Sequence, residues 1–221
     1  MQPMPELTTV RISWIYRVCV PPVCLFLRLM CRWEVRGREN VPPAGPLLVV
    51  ANHITNLDPP LLALSLGRYA VFMAKQELFR SRLGAYFMPR LGTFPVDRAR
   101  VSRRLLHLAE EVLAAGHVLV IFPEGQRNRD GRLRRALPGA AMVAARTGVP
   151  ILPAAITGTE AFRLRRPLAR PRVVVTFGKP FHLPAGSTRA DRAAQTACIM
   201  ENIARLLPPA YRGVYGGDSP V

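Results

Sequence analysis

Leu47-Leu48-Val49-Val50-Ala51-Asn52-His53-Ile54-Thr55-Asn56-Leu57-Asp58-Pro59-Pro60 carries the chain from one kind of element to another. Leu47 to Ala51 is a short, unbroken apolar run, the pattern of a strand buried on both faces. A new apolar segment opens at Pro59, and proline suits the first turn of a helix. Strand, loop and helix are therefore expected in that order. Two titratable side chains, His53 and Asp58, fall in the connection. On one continuous helix, positions five apart lie roughly 140° around the axis and do not meet. Pro59 removes that option, because the residue before proline is pushed out of helical geometry; Asp58 is expected to cap the helix from outside. A turn then brings carboxylate to imidazole. A carboxylate on one ring nitrogen fixes the tautomer and leaves the other nitrogen as a base near neutral pH. The plain alternative is a surface histidine beside a capping aspartate, and the rest of the chain has to decide.

Working outward, Ala70–Met73, Val118–Phe122, Ile151–Ile156 and Val173–Phe177 are further strand-like runs. Leu105, Leu108, Ala109 and Val112 recur at helical spacing and stop at Gly116, a suitable C-cap. Ala193, Ala197, Met200, Ala204 and Leu207 mark a last helix. This alternation predicts an α/β fold: one domain over residues 36–207, with a mostly parallel central sheet flanked by helices. In such sheets ligands gather at the carboxyl ends of the strands. The turn-rich tail, 208–221, is expected to be loosely held.

Residues 11–33 are apolar but interrupted. Only ten uncharged residues separate Arg17 from Arg28, too few for a spanning helix, and Pro21-Pro22 fall in the middle. Trp14, Tyr16 and Trp33 favour the headgroup zone, and Arg17, Arg28 and Arg32 can extend to phosphates. Residues 1–35 are expected to form a membrane-associated segment, a kinked helical pair lying in one leaflet. A core helix is the plain alternative.

An apolar fraction of 49% excludes a disordered chain, and a formal charge of +17 calls for an anionic partner: membrane surface, nucleic acid or a phosphorylated substrate. Cys19, Cys24, Cys31 and Cys198 show no C-x-x-C spacing and predict reduced packing thiols without a zinc site or other metal.

Three more stretches stand at strand ends. Gly92-Thr93-Phe94-Pro95-Val96-Asp97-Arg98 places an Asp-Arg pair before a helix. Phe122-Pro123-Glu124-Gly125-Gln126-Arg127 follows the most apolar strand. Val149-Pro150-Ile151-Leu152-Pro153 opens another, its two prolines suiting a rigid edge or entry. Paired guanidinium donors match phosphate, so Arg98 and Arg127 are natural anion clamps. Singly, each stretch is equally a set of ordinary loop charges.

Together, N-H-x-x-x-x-D, G-x-F-x-V-D-R, F-P-E-G-x-R and V-P-I-L-P, in this order, resemble the four blocks of the glycerolipid acyltransferase family. Within it the bacterial 1-acyl-glycerol-3-phosphate (lysophosphatidate) acyltransferases are the nearest match. The likeness runs from about Trp33 to Phe181; Gln126 departs from the usual Thr. It implies acyl transfer from acyl-CoA or acyl-carrier protein to a lysolipid phosphate, with no cofactor beyond the donor. His53 would take the hydroxyl proton, and Asp58 would support its imidazole. Arg127 would bind the acceptor's phosphate with Glu124 shaping its loop or orienting the hydroxyl; Arg98 and Lys75 would join the anionic pocket. Oxyanion donors would come from the turn at Gly125 or from the first helical turn after Pro59. An anionic membrane surface, on the cytoplasmic face, is the expected partner. A nucleic-acid-binding module is the rival the charge suggests, but no stacking platform or recognition helix accompanies it, so no nucleic acid is expected. A different lysolipid acceptor is the nearer alternative.

Overall fold

The computed structural model describes residues 13–96, 103–162, 169–184 and 191–216. Among them α1 (Trp14–Met30) leads into β1 (Arg32–Arg36) and then β2 (Leu47–Ala51), α2 (Asp58–Leu66) and β3 (Ala70–Lys75). Next come α3 (Arg82–Arg90), β4 (Thr93–Val96), α4 (Arg103–Ala114), β5 (Val118–Ile121) and α5 (Gly139–Thr147). β6 (Ile151–Thr157), β7 (Arg172–Phe177) and α6 (Asp191–Leu206) complete the order.

The strands form one sheet in the order β1-β7-β6-β2-β5-β3-β4, and every neighbouring pair is parallel except β6–β7. β1 and β7 therefore run against the other five. Their starting ends lie on the edge where β2, β3, β5 and β6 finish. β2 sits at the centre, and all five of its residues are fully buried.

Alternation along β2 divides the interior in two. Leu48 and Val50 pack with Val71, Leu119 and Ile151 beneath α4, α5 and α6. Leu47, Val49 and Ala51 face the other way, with Val120, Leu152 and Val175 beneath Leu27 of α1 and Leu61, Leu62 and Leu66 of α2. Each fully buried Leu or Val here contributes about 2 kcal/mol relative to exposure. A strand covered on both faces has to be apolar throughout, which is why Leu47–Ala51 reads as an unbroken run.

Several expectations need correcting. The N-terminal segment forms one helix through Pro21 and Pro22, where a kinked pair was expected. Ile15 near one end and Leu27 near the other are both buried, and this packing outweighs the two backbone donors the prolines remove. Thr93–Val96, absent from the expected strands, is the edge strand β4; Pro95 is tolerated there because one side of an edge strand has no ladder to lose. Pro153, expected at an edge or entry, lies in β6 between β2 and β7. Its carbonyl accepts from Gly178 N at 2.9 Å, so the missing N–H faces the side where the β7 ladder has already ended at Ala154–Phe177.

The tail is not loose over 209–216. Pro209–Tyr211 and Gly213–Tyr215 form short 3-10 turns. Leu133 N donates to Tyr211 O at 2.8 Å, the Tyr211 hydroxyl donates to the Glu160 carboxylate, and Tyr211 and Tyr215 pack on the core. Two aromatic rings cover enough apolar surface to hold a turn-rich segment down.

Candidate active site

β2 ends at Ala51, and the next six residues fold back on themselves before α2 begins. Asp58 is the first residue of α2 and not its cap; Leu57 stands in the cap position with helical φ and ψ of −82° and −18°. The physical reason is the Pro-Pro pair. Pro59 and Pro60 have no N–H, so the first turn presents few donors for a cap to satisfy. The Asp58 carboxylate is thereby released to turn over the preceding loop.

There it becomes the hub of the site. Oδ2 accepts from Ile54 N at 2.5 Å and Thr55 N at 2.7 Å and lies 2.9 Å from His53 Nδ1. Oδ1 accepts from Thr55 Oγ1 at 3.2 Å and from Thr159 Oγ1 at 2.8 Å. Asp58 is fully buried and His53 is 5% exposed. A carboxylate already accepting two backbone N–H bonds takes a third from Nδ1–H, which leaves the Nε2 lone pair as the ring's free acceptor. Nε2 has no partner among the described residues. The Phe122 ring stacks on the imidazole at 4.2 Å and 22°, covering one of its faces.

The loop after β5 is built against this pair. The chain turns at Pro123, with Gly125 N donating to Phe122 O at 3.0 Å. Gly125 stands at φ 68°, where a β-carbon is strained and would meet Leu137 Cδ1 at 2.7 Å. Glu124 does not pair with Arg127. Its carboxylate accepts from His53 N at 3.1 Å and Arg134 N at 3.0 Å, tying the two loops together. Burial pushes the Glu124 carboxyl up to about 7, against those two N–H groups, which favour the anion. Asn128 N adds a second tie, to His53 O at 2.7 Å.

Arg127 is next to that tie in sequence, so its Cα stands about 3.8 Å from that of Asn128. Its guanidinium is half-buried and has no hydrogen bond or ion pair among the described residues. Lys75 ends β3, two strands from β2 on the same sheet edge, roughly 10 Å away. Arg98, with Asp97, lies outside the described residues. The first turn of α2 supplies no oxyanion donor: Asp58 N donates to Thr55 O, Pro59 and Pro60 have no N–H, and Leu61 N donates to Leu57 O.

Two contributors escape a reading of the local motif. Thr159 bonds Asp58 from 101 positions along the chain; only its place just beyond a strand, after Gly158, hints at it. Asn52, quoted in the first block without a role, acts as an extra rung of the sheet. Its Nδ2 donates to Ile156 O at 2.8 Å and its Oδ1 accepts from Ile156 N at 2.7 Å.

Comparison with known proteins gives a consistent picture. A family model described as "Acyltransferase" matches residues 32–157. A 1-acyl-sn-glycerol-3-phosphate acyltransferase of Bacillus subtilis is 26% identical over 199 residues, covering 86% of this chain and 96% of that protein. The chloroplastic 1-acyl-sn-glycerol-3-phosphate acyltransferase BAT2 of Brassica napus is 36% identical over 129 residues, 57% of this chain. The chain spans only 37% of that plant protein's length. Among solved structures, the 1-acyl-sn-glycerophosphate acyltransferase PlsC of Thermotoga maritima superposes with a TM-score of 0.63. That match covers 90% of this chain and 85% of the other at 24% identity, a likeness of fold.

Proposed function

The chain belongs to the acyltransferase family, and from that premise we propose that it moves a fatty acyl group onto the free hydroxyl of 1-acyl-glycerol-3-phosphate, giving phosphatidate. The donor is acyl-CoA or acyl-carrier protein. The observation that carries this reading is the buried His53–Asp58 pair, 2.9 Å apart, with Nε2 unpartnered among the described residues at the carboxyl edge of the sheet.

In this reading His53 Nε2 accepts the proton of the acceptor hydroxyl as its oxygen attacks the thioester carbonyl. Asp58 holds the tautomer and stabilises the imidazolium. The tetrahedral intermediate collapses with loss of the C–S bond, and the imidazolium returns its proton to the departing thiolate. No covalent acyl-enzyme is needed. With α2 unable to supply oxyanion donors, that task falls to the loop of residues 125–127. The Arg127 guanidinium takes the acceptor's phosphate.

The lipid nature of acceptor and product gives α1 a task. No helix of the described residues is long and apolar enough to cross a membrane. Trp14, Val18, Leu25 and Leu29 of α1 and Leu83 and Tyr86 of α3 are exposed, which supports a helix seated in one leaflet.

The purified chain, assayed in detergent with acyl-CoA and then acyl-carrier protein, tests the proposal on four acceptors: lysophosphatidate, glycerol-3-phosphate, lysophosphatidylcholine and lysophosphatidylglycerol. Preference for lysophosphatidate is expected. Turnover confined to the others moves the chain to the alternative, remodelling of another lysolipid, and silence on all four overturns acyl transfer.

A further inference from the structure

Away from the dyad, a hollow of about 710 Å³ opens between the end of α1 and the starting ends of β1 and β7. Four arginines and one glutamate line it: Arg28, Arg32, Arg170, Arg172 and Glu34. Glu34 is already engaged, with Arg36 at 2.6 Å and Arg172 at 2.8 Å. Among the described residues no carboxylate answers Arg28, Arg32 or Arg170. Three like charges held around one space repel each other unless an anion joins them.

The backbone works to keep them there. Arg170 has φ 36°, the one positive value among the described non-glycine residues. Such a conformation is unfavourable for a residue with a β-carbon and persists only where its surroundings impose it. Two contacts do so. Its carbonyl accepts from Arg32 Nε at 3.3 Å, and its guanidinium donates to Arg28 O at 3.0 Å, at the end of α1. Arg170 is thus held against the stretch of chain that carries both Arg28 and Arg32.

What lies beside the hollow gives the ligand's other half. Leu25, Phe26 and Leu29 are exposed in the same last turns of α1 that carry Arg28. A cationic hollow at the foot of an exposed apolar stripe matches an anionic amphiphile and not a free nucleotide. We propose that this hollow is a headgroup site for an anionic phospholipid. The phosphate meets Arg28, Arg32 and Arg170, the acyl chains run along Leu25, Phe26 and Leu29, and the site is separate from the acceptor site at Arg127. It stands on the same sheet edge as His53, three strands from β2 and so roughly 14 Å from it. The bound lipid orients that edge toward the bilayer without entering the reaction.

Flotation of the full chain with phosphatidylcholine vesicles, with and without phosphatidylglycerol, tests this independently of any acyl-transfer assay. The parent should favour the anionic vesicles, and the double variant Arg28→Gln/Arg32→Gln should lose about tenfold of that preference while binding neutral vesicles unchanged. Arg170→Gly, which relieves the positive φ, should lose preference too with its melting temperature maintained; it decides the matter if the double variant fails to fold. Arg146→Gln/Arg205→Gln removes equal charge from α5 and α6, on the other side of the sheet, and should stay within about twofold of the parent. An equal loss in that control would mean diffuse attraction and overturn the site. So would binding of 3′,5′-adenosine diphosphate that depends on Arg28 and Arg32 while the vesicle preference does not.

Discussion

The loops that follow β2 and β5 leave the same edge of the sheet and touch, yet they are built on opposite plans. In residues 52–58 polar groups answer one another: Asp58 gathers two backbone N–H groups, two hydroxyls and the imidazole, and Asn52 completes the sheet. In residues 122–128 the Glu124 carboxylate and Asn128 N are tied to the first loop, whereas the Arg127 guanidinium is left without a partner among the described residues. The first loop is a preorganised unit whose geometry needs no substrate, and in the proposed reaction it handles the proton. The second is anchored to it and presents a cation toward whatever binds. A buried network is expensive to break, whereas an unpartnered surface cation contributes little until a ligand arrives.

That contrast can be broken at either loop. Arg127→Ala should raise the acceptor KM by about tenfold or more, leave the donor KM near its parent value, and leave the melting temperature unchanged. An unchanged acceptor KM would remove Arg127 from the phosphate site. Glu124, the joint between the loops, should show itself through pH. Its native pKa of about 7 exceeds the ordinary 4.5, so between those values the folded chain holds a proton that the unfolded chain has lost. Its contribution is therefore greatest below about pH 4.5 and is lost as pH rises through 7, a fall of about 3 kcal/mol. Thermal unfolding of the parent and Glu124→Gln at pH 5 and pH 8 checks the sign. The parent's melting temperature relative to the variant should drop by several degrees on going to pH 8, and a constant difference would contradict the buried, proton-holding carboxyl.

Much of this arrangement was legible beforehand, for reasons that are themselves physical. A central strand must be apolar on both faces, so β2 announces itself, and a Pro-Pro pair after a loop can only open a helix. The direction of the Asp58 side chain was less legible: the prolines that suggested a cap also removed the donors a cap would serve. Thr159 and the ties from Glu124 to His53 and Arg134 join positions 10 to 101 residues apart, which no periodicity encodes. α1 is one helix because tertiary packing of Ile15 and Leu27 overrides local proline chemistry. The arginine hollow was hidden for a similar reason: β1 is absent from the strand-like runs, and its parallel pairing with β7 sets Arg32 opposite Arg172 and close to Arg170.

The most direct test of the central claim is the acyl-transfer rate of His53→Ala beside the parent, with vesicle flotation and thermal unfolding run on the same preparations. A base acting in the chemical step predicts a fall in kcat/KM of about a hundredfold or more, with vesicle binding and the cooperative transition kept. Turnover near the parent rate from a folded, membrane-bound variant would contradict the assignment of His53 as the base.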